Sequence, residues 1–316
     1  IHQFSPIDIY FVVKKFFNYW KPNLALFVES EIWPNLILES KKRNIKTLLL
    51  NARLSEKAFQ NWKKVPNKIF KSFDMCITQD NLSKQRLKFL GIKNIKFSIN
   101  MKFFSENLKY QPLEQKKLQL YIKNRFTVLL VSCHNKEEQI LIDVIKKLKK
   151  NIPDIFSIIL PRHISRSNKI QRLLKENNIN FKIRSSNEII NESTDFYLAD
   201  TIGETGLFYA ISDLVIIGGS FINHGGQNPI EPSNFNCPII FGPFMQNFQE
   251  ITNEMLKNNA ALKAMNKEDL KRYILMVYKD KLLRKKLSQN LTKYCKKKKE
   301  KFDFVWRELN KFILDI

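Results

Sequence analysis

Short apolar runs alternate with amphipathic segments along nearly the whole chain, the pattern of parallel strands joined by crossover helices. A first series runs through LALFVES (24 to 30), a helical WPNLILESKK, KTLLLNAR (46 to 53), a basic helical stretch, MCITQ (75 to 79) and a helical SKQRLKFLG. Residues 103 to 112 lack a clear period and read as a linker. A second series opens with FTVLLVSC (126 to 133), and the helix after it sets Ile140, Leu141, Val144, Ile145 and Leu148 on one face at helical spacing. FSIILP (156 to 161), FKIRS, DFYLAD (195 to 200), LVIIGG (214 to 219) and PIIFGP (238 to 243) predict the remaining strands of a second sheet. From Lys267 onward the pattern is helical, passing through KKKKEK (296 to 301) to the aromatic, amphipathic FDFVWRELNKFIL.

The economical reading is an α/β protein of two Rossmann-like domains facing across a cleft, residues 1–110 and 111–316. The first domain reads as truncated at its N-terminus, because only about three strands precede the linker where such a domain usually has more. No internal repeat is evident. A chain of 316 residues with 44% hydrophobic content is long enough to bury a core in each domain.

Composition narrows the partners. The formal charge of +24 points to something anionic: nucleic acid, a membrane surface or a phosphorylated ligand. No aromatic and basic motif of an RNA- or DNA-binding module accompanies it, so no nucleic-acid partner is expected. Heavy use of Lys throughout gives a competing account in which much of the charge is solvated surface. Cys76, Cys133, Cys237 and Cys295 are far apart and form no CxxC pair, which argues for a reducing compartment and against a zinc knuckle. No apolar run approaches the roughly 18 residues of a membrane span. The first residue is Ile1 and not Met, so an upstream segment with an anchor is compatible with the sequence.

Candidate chemistry concentrates after the strands of the second series. GGSFINHGGQNPIEP (218 to 232) holds four of the eight glycines in its first nine positions and ends in two prolines that bracket Glu231. Ligands of open α/β sheets sit beyond the carboxyl ends of strands, where bare backbone N–H groups can approach a phosphate. Asn228 and the Pro229-to-Pro232 frame would then aim Glu231, a pure acceptor when ionised, at ribose hydroxyls. A glycine-rich turn is the bland alternative.

One strand earlier, ADTIGETGLFYAISD places Thr201 as a cap, Gly203 at a helix start and Glu204 in the first turn. In LPRHISR, Arg162 follows a strand where it could pair with phosphate. In ESEIWPN (29 to 35), Glu29 and Glu31 sit at a strand terminus, where two carboxylates can divide acid, base and electrostatic roles; helix capping competes.

Taken together, ESEIWPN, NARLSEK (51 to 57), PRH (161 to 163), DTIGE (200 to 204), GGSF…GGQNPIEP and GPFMQNF (242 to 248) resemble, in order and spacing, the motifs of the Kdo transferases, which attach 3-deoxy-D-manno-octulosonic acid (Kdo) to a lipid A precursor. The resemblance covers essentially the whole chain, apart from the family's N-terminal portion with its membrane anchor and first strands. It implies a GT-B glycosyltransferase of lipopolysaccharide biosynthesis that uses CMP-Kdo, inverts configuration, needs no metal or cofactor, and works on lipid IVA at the cytoplasmic face of the bacterial inner membrane. Residues 1–110 would be what remains of the acceptor-binding domain, and residues 111–316 the donor domain with its closing C-terminal helices.

The same resemblance assigns CMP binding to Pro161, Arg162, Ile202, Gly203, Glu204, Asn228, Pro229, Ile230 and Glu231. It assigns transition-state stabilisation to Glu29 and to Lys102 in INMKFF, roles that make electrostatic sense for an oxocarbenium-like sugar and a departing phosphate. The family's proton acceptor, a Glu, lies upstream of every residue here. The chain departs from the family's STHEGEE with Asn135 and Lys136, and from GGHNPLEP with Gln227. A GT-B transferase or epimerase acting on another nucleotide sugar is the alternative reading, and a degenerate domain that binds without catalysis is a third.

Overall fold

The computed structural model describes residues 2–123 and 125–314. The chain divides into two compact units, one made of the residues up to Ser105 together with those from Lys299 onward, the other running from Glu106 to Lys298.

The first unit is built on β1 (Leu24–Val28), β2 (Lys46–Ala52), β3 (Met75–Thr78) and β4 (Ile95–Ser98), parallel and in that spatial order. β4 adds a fourth strand to the three that the pattern predicts. Its residues are short in number and only partly buried, so the apolar signal that marks the inner strands is weak there. Helix Pro34–Lys42 starts with proline in its first turn, where the missing N–H costs nothing. Helices Glu56–Trp62 and Asn81–Phe89 are capped by Ser55 and Asp80, whose side chains accept from the amides of Ala58 and Ser83. These helices, with Tyr10–Trp20, which the pattern reading did not mark, and the short Lys68–Lys71, cover one face of the sheet through Val13, Phe17, Leu36, Ile37, Phe70 and Leu87.

The opposite face exposes Leu48, Met75 and Ile77, and helix Phe302–Leu314 covers it with Val305 and Leu309. The expected boundary at 110/111 is therefore corrected at the far end of the chain: the last helix closes the first unit and not the second. A parallel sheet needs cover on both faces, and this helix supplies the apolar stripe that the local segment lacks.

The second unit holds β5 (Phe126–Cys133), β6 (Ile155–Pro161), β7 (Phe181–Ile183), β8 (Phe196–Leu198), β9 (Leu214–Ile217), β10 (Ile239–Phe241) and β11 (Leu262–Lys263). All pair in parallel, in the order β11-β10-β9-β5-β6-β8-β7. β5 to β10 are the predicted strands, and β5, β6, β8, β9 and β10 are buried almost throughout because helices cover both faces, while β7, at the end of the sheet, is only partly buried. In helix Glu137–Leu148, Leu141, Val144, Ile145 and Leu148 are buried as expected while Ile140 is only partly so. From β5 the chain proceeds to β6 on one side and returns to β9 on the other. The gap between the carboxyl ends of β5 and β9 is thus the topological switch point, the standard ligand position in such sheets. Among the described residues no helix is long and apolar enough to cross a membrane.

Candidate functional site

At the carboxyl edge of the first sheet, Glu29 follows β1 and adopts a left-handed backbone with φ of 57°. For a non-glycine residue this conformation costs on the order of 1–3 kcal/mol, and such strain concentrates where a side chain must be aimed. Glu29 Oε1 lies 3.4 Å from Lys102 Nζ and 3.4 Å from Asn51 Nδ2, while Asn51 Oδ1 accepts from the amide of Met101 at 3.0 Å. Asn51 thereby ties the end of β2 to both. Glu29 and Glu31 do not act as a pair: the chain turns after Val28, and Glu31 Oε2 accepts from the Trp33 indole at 2.7 Å.

The second sheet presents the loops after β5, β6, β8 and β9 at its carboxyl edge. The glycine-rich loop after β9 is bare for a structural reason. A Cβ on Gly218 would stand 2.4 Å from the Val131 carbonyl oxygen, and one on Gly226, whose φ is 77°, 2.2 Å from the Met245 sulfur. Its free amides serve an internal anion. The Glu137 carboxylate, 1% exposed, accepts from the amides of Gly219 (2.7 Å), Ser220 (3.0 Å), Phe221 (3.0 Å) and His134 (2.9 Å). Burial raises the Glu137 pKa, against the lowering effect of these amides. The expectation that the glycine amides receive a phosphate is corrected at Gly219, whose amide goes with those of Ser220, Phe221 and His134 to a carboxylate of the neighbouring helix, and at Gly218 and Gly226, whose amides bond to backbone carbonyls.

Further along the loop, Asn228 Oδ1 accepts from the amide of Ile230 at 3.1 Å and Asn228 Nδ2 donates to Glu231 Oε1 at 2.9 Å. The buried Tyr209 hydroxyl donates to Glu231 Oε2 at 3.3 Å. Pro229 and Ile230 are buried, so their side chains hold the turn while Asn228 and Glu231 remain half-buried at its surface. Pro161 is buried at the end of β6 and Arg162 is exposed, its amide continuing the strand pairing to the Cys133 carbonyl at 3.0 Å.

After β8, the helix is Thr205–Ala210 and not one beginning at Gly203, which lies outside it with φ of 84°. Thr201 is not its cap; its hydroxyl donates to the Glu204 carboxylate. Arg184 holds Glu204 from the other side, Nη2 to Oε1 at 2.6 Å and Nε to Oε2 at 3.0 Å, and reaches Glu114 at 3.1 Å. Hydrogen bonds from Arg184 hold the Glu204 carboxyl below its ordinary range. Glu204, Gly203, Ile202, Arg184, Tyr110 and Lys109 border a cavity of about 540 Å³, a size that suits a small ligand. Ile202, 81% exposed, stands at its mouth.

Sequence reasoning missed Arg184, Glu137 and a group of imidazoles. His134, His163 and His224 follow β5, β6 and β9; the His134 and His224 ring centroids are 3.8 Å apart and those of His134 and His163 6.2 Å. Gln227 Nε2 lies 2.9 Å from His134 Nε2. The signal available was that three of the four histidines occur on strand-ending loops. All four cysteines are buried free thiols.

Residues 1–105 match a family model described as 3-deoxy-D-manno-octulosonic-acid transferase, and residues 114–296 match that of glycosyl transferases group 1. The 3-deoxy-D-manno-octulosonic acid transferase of Rickettsia typhi is 39% identical over 85% of this chain, which spans 58% of that relative's length. The enzyme of the same name from Rickettsia felis is 36% identical over 99% of this chain and 68% of its own length. Among solved structures, the C-terminal CMP-Kdo binding domain of WaaA from Acinetobacter baumannii matches with a TM-score of 0.55 and 29% identity, covering 62% of this chain and 98% of that one. Anabaena HepE in complex with UDP-glucose shares the fold, with a TM-score of 0.63 at 14% identity over 94% of this chain and 82% of that one.

Proposed function

The chain belongs to the 3-deoxy-D-manno-octulosonic acid transferase family and has the GT-B fold, and from that premise we propose that it takes part in moving Kdo from CMP-Kdo to a lipid A precursor with inversion at the anomeric carbon. The second unit is the donor domain in this reading. Arg162 and the groups Ile202 to Glu204 and Asn228 to Glu231 hold CMP. Glu204 and Glu231, each fixed by a partner that donates to it, offer their remaining lone pairs to ribose or base donors. What carries the reading is the likeness of this chain to a domain named for CMP-Kdo binding, combined with the position of these residues on loops at one edge of the seven-stranded sheet.

In the first unit, Glu29 and Lys102 are the proposed charge-stabilising pair. A carboxylate set against an oxocarbenium-like sugar lowers the barrier only if it is already oriented, and the ion pair with Lys102 and the bond from Asn51 orient Glu29. The acceptor is proposed to be lipid IVA presented at the cytoplasmic face of the inner membrane, a phosphorylated surface that the +24 charge favours.

Calorimetry with CMP and UMP tests the donor assignment. CMP is expected to bind at least several-fold more tightly; equal affinities, or tighter UMP binding, would move the chain to another nucleotide sugar.

A further inference from the structure

The backbone nest that a phosphate would ordinarily use at the switch point is filled by Glu137, so an anion arriving there must be met by side chains. Basic groups from three loops gather at that point. His134 follows β5, Arg162 and His163 follow β6, Arg166 lies a few residues on, and His224 comes from the loop after β9. Of the carboxylates beside them, Glu137 is held by four amides, and Glu138 pairs with Arg166 among the basic groups themselves.

The imidazoles of His134 and His224 lie 3.8 Å apart at an interplanar angle of 34°. Two rings this close cannot both be cationic without an anion between or beside them. Burial first, and then the neighbouring His224, His163, Arg166 and Arg162, depress the His134 pKa to about 4, so the ring is neutral near neutral pH. The contact from Gln227 Nε2 leaves His134 Nε2 as the acceptor and its Nδ1 as the proton-bearing atom.

We infer that His134 and His224, with Arg162 beside them, form a paired-imidazole site for an oxyanion of the donor, namely the nucleotide phosphate. This rests on the donor-domain reading and adds to it the group that is recognised and the residues that recognise it. His224 is the principal contact, because it is exposed while His134 is half-buried behind it. An anion bound there offsets the part of the His134 depression that comes from its cationic neighbours, burial remaining the larger cause.

The test is calorimetry of the full chain and of His224→Ala with cytidine, CMP and CMP-Kdo. His224→Ala is expected to weaken CMP by about tenfold, the size of one charge-assisted hydrogen bond, and to leave cytidine within about twofold. Adding Gln227→His, which returns an imidazole to the side of His134, should recover part of that loss. A loss seen with CMP-Kdo but not with CMP overturns the phosphate assignment, because CMP carries the same phosphate. Equal losses for cytidine and CMP, or none for any ligand, overturn the site. If the unaltered chain binds no cytidine nucleotide, the donor reading falls. Titration of inorganic phosphate, followed through the imidazole C–H resonances, then decides the pair by itself: movement of the His134 and His224 signals supports it, and unmoved signals overturn it.

Discussion

Lys102 Nζ lies 3.4 Å from Glu29 Oε1, although one residue follows the first strand of its sheet and the other follows the last. Their side chains are 40% and 45% exposed, so the pair adds little to stability; exposed ion pairs are typically worth about 0–1 kcal/mol. Glu29→Gln and Lys102→Ala should each lower Kdo transfer by about 10² to 10³ while leaving the unfolding free energy within about 0.5 kcal/mol. Transfer assays beside urea denaturation check this. Unchanged turnover in either variant would remove that residue from the mechanism.

Glu137 is expected to be structural first. Glu137→Gln keeps the shape but sets an amide nitrogen against backbone N–H donors, leaving buried donors unpaired. The second unit should lose on the order of 2–4 kcal/mol. Thermal denaturation measures it, and a change below about 0.5 kcal/mol would show that the nest tolerates a neutral side chain.

Glu231 joins stability to binding. Glu231→Ala removes the acceptor for Asn228 and for the buried Tyr209 hydroxyl, which should cost about 1–3 kcal/mol of stability and at least about tenfold in CMP affinity. The double variant with Tyr209→Phe should regain stability without regaining affinity. Recovery of both together would mean that Glu231 acts only as a turn support.

The protein should weaken in acid partly through His134. An unfolded imidazole titrates near about 6.5, while His134 in the folded chain titrates near about 4, so between these values the unfolded chain binds the extra proton. The stability linked to this group is fully present above about 6.5 and is lost as pH falls through about 4. Urea midpoints of the native chain and His134→Gln, taken from pH 7.5 to 4, should converge as pH falls. Parallel curves would show that His134 does not titrate in this way.

Membrane association should depend on charge. Helix Tyr10–Trp20 exposes Phe11 and Tyr19 beside Lys14 and Lys15, and each Lys near an anionic bilayer contributes about 1 kcal/mol. Co-sedimentation with phosphatidylglycerol vesicles should fall steeply between 50 and 300 mM salt, a range that takes the Debye length from about 14 to about 6 Å. Binding that ignores salt and lipid charge would leave the excess of lysine as composition alone.

The sequence by itself determined the α/β class, the strands β1 to β3 and β5 to β10, and the loops on which Arg162, Glu204 and Glu231 stand. Each of these is a local property: an apolar run long enough for a strand, then a glycine or proline that ends it. Tertiary structure decided what the local pattern does not encode. Glu137 looks like an ordinary acidic residue in the first turn of a helix, and only the return of β9 alongside β5 brings the amides of Gly219, Ser220 and Phe221 onto it. Arg184 is one more basic residue in a lysine-rich chain until β7 and β8 pair and set it against Glu204. The last helix joins the first unit because Leu48, Met75 and Ile77 need an apolar cover that their own segment does not supply. The pairing of Glu29 with Lys102 and of His134 with His224 likewise depends on strand order, since a parallel sheet gathers the ends of distant strands at one edge whatever their separation along the chain.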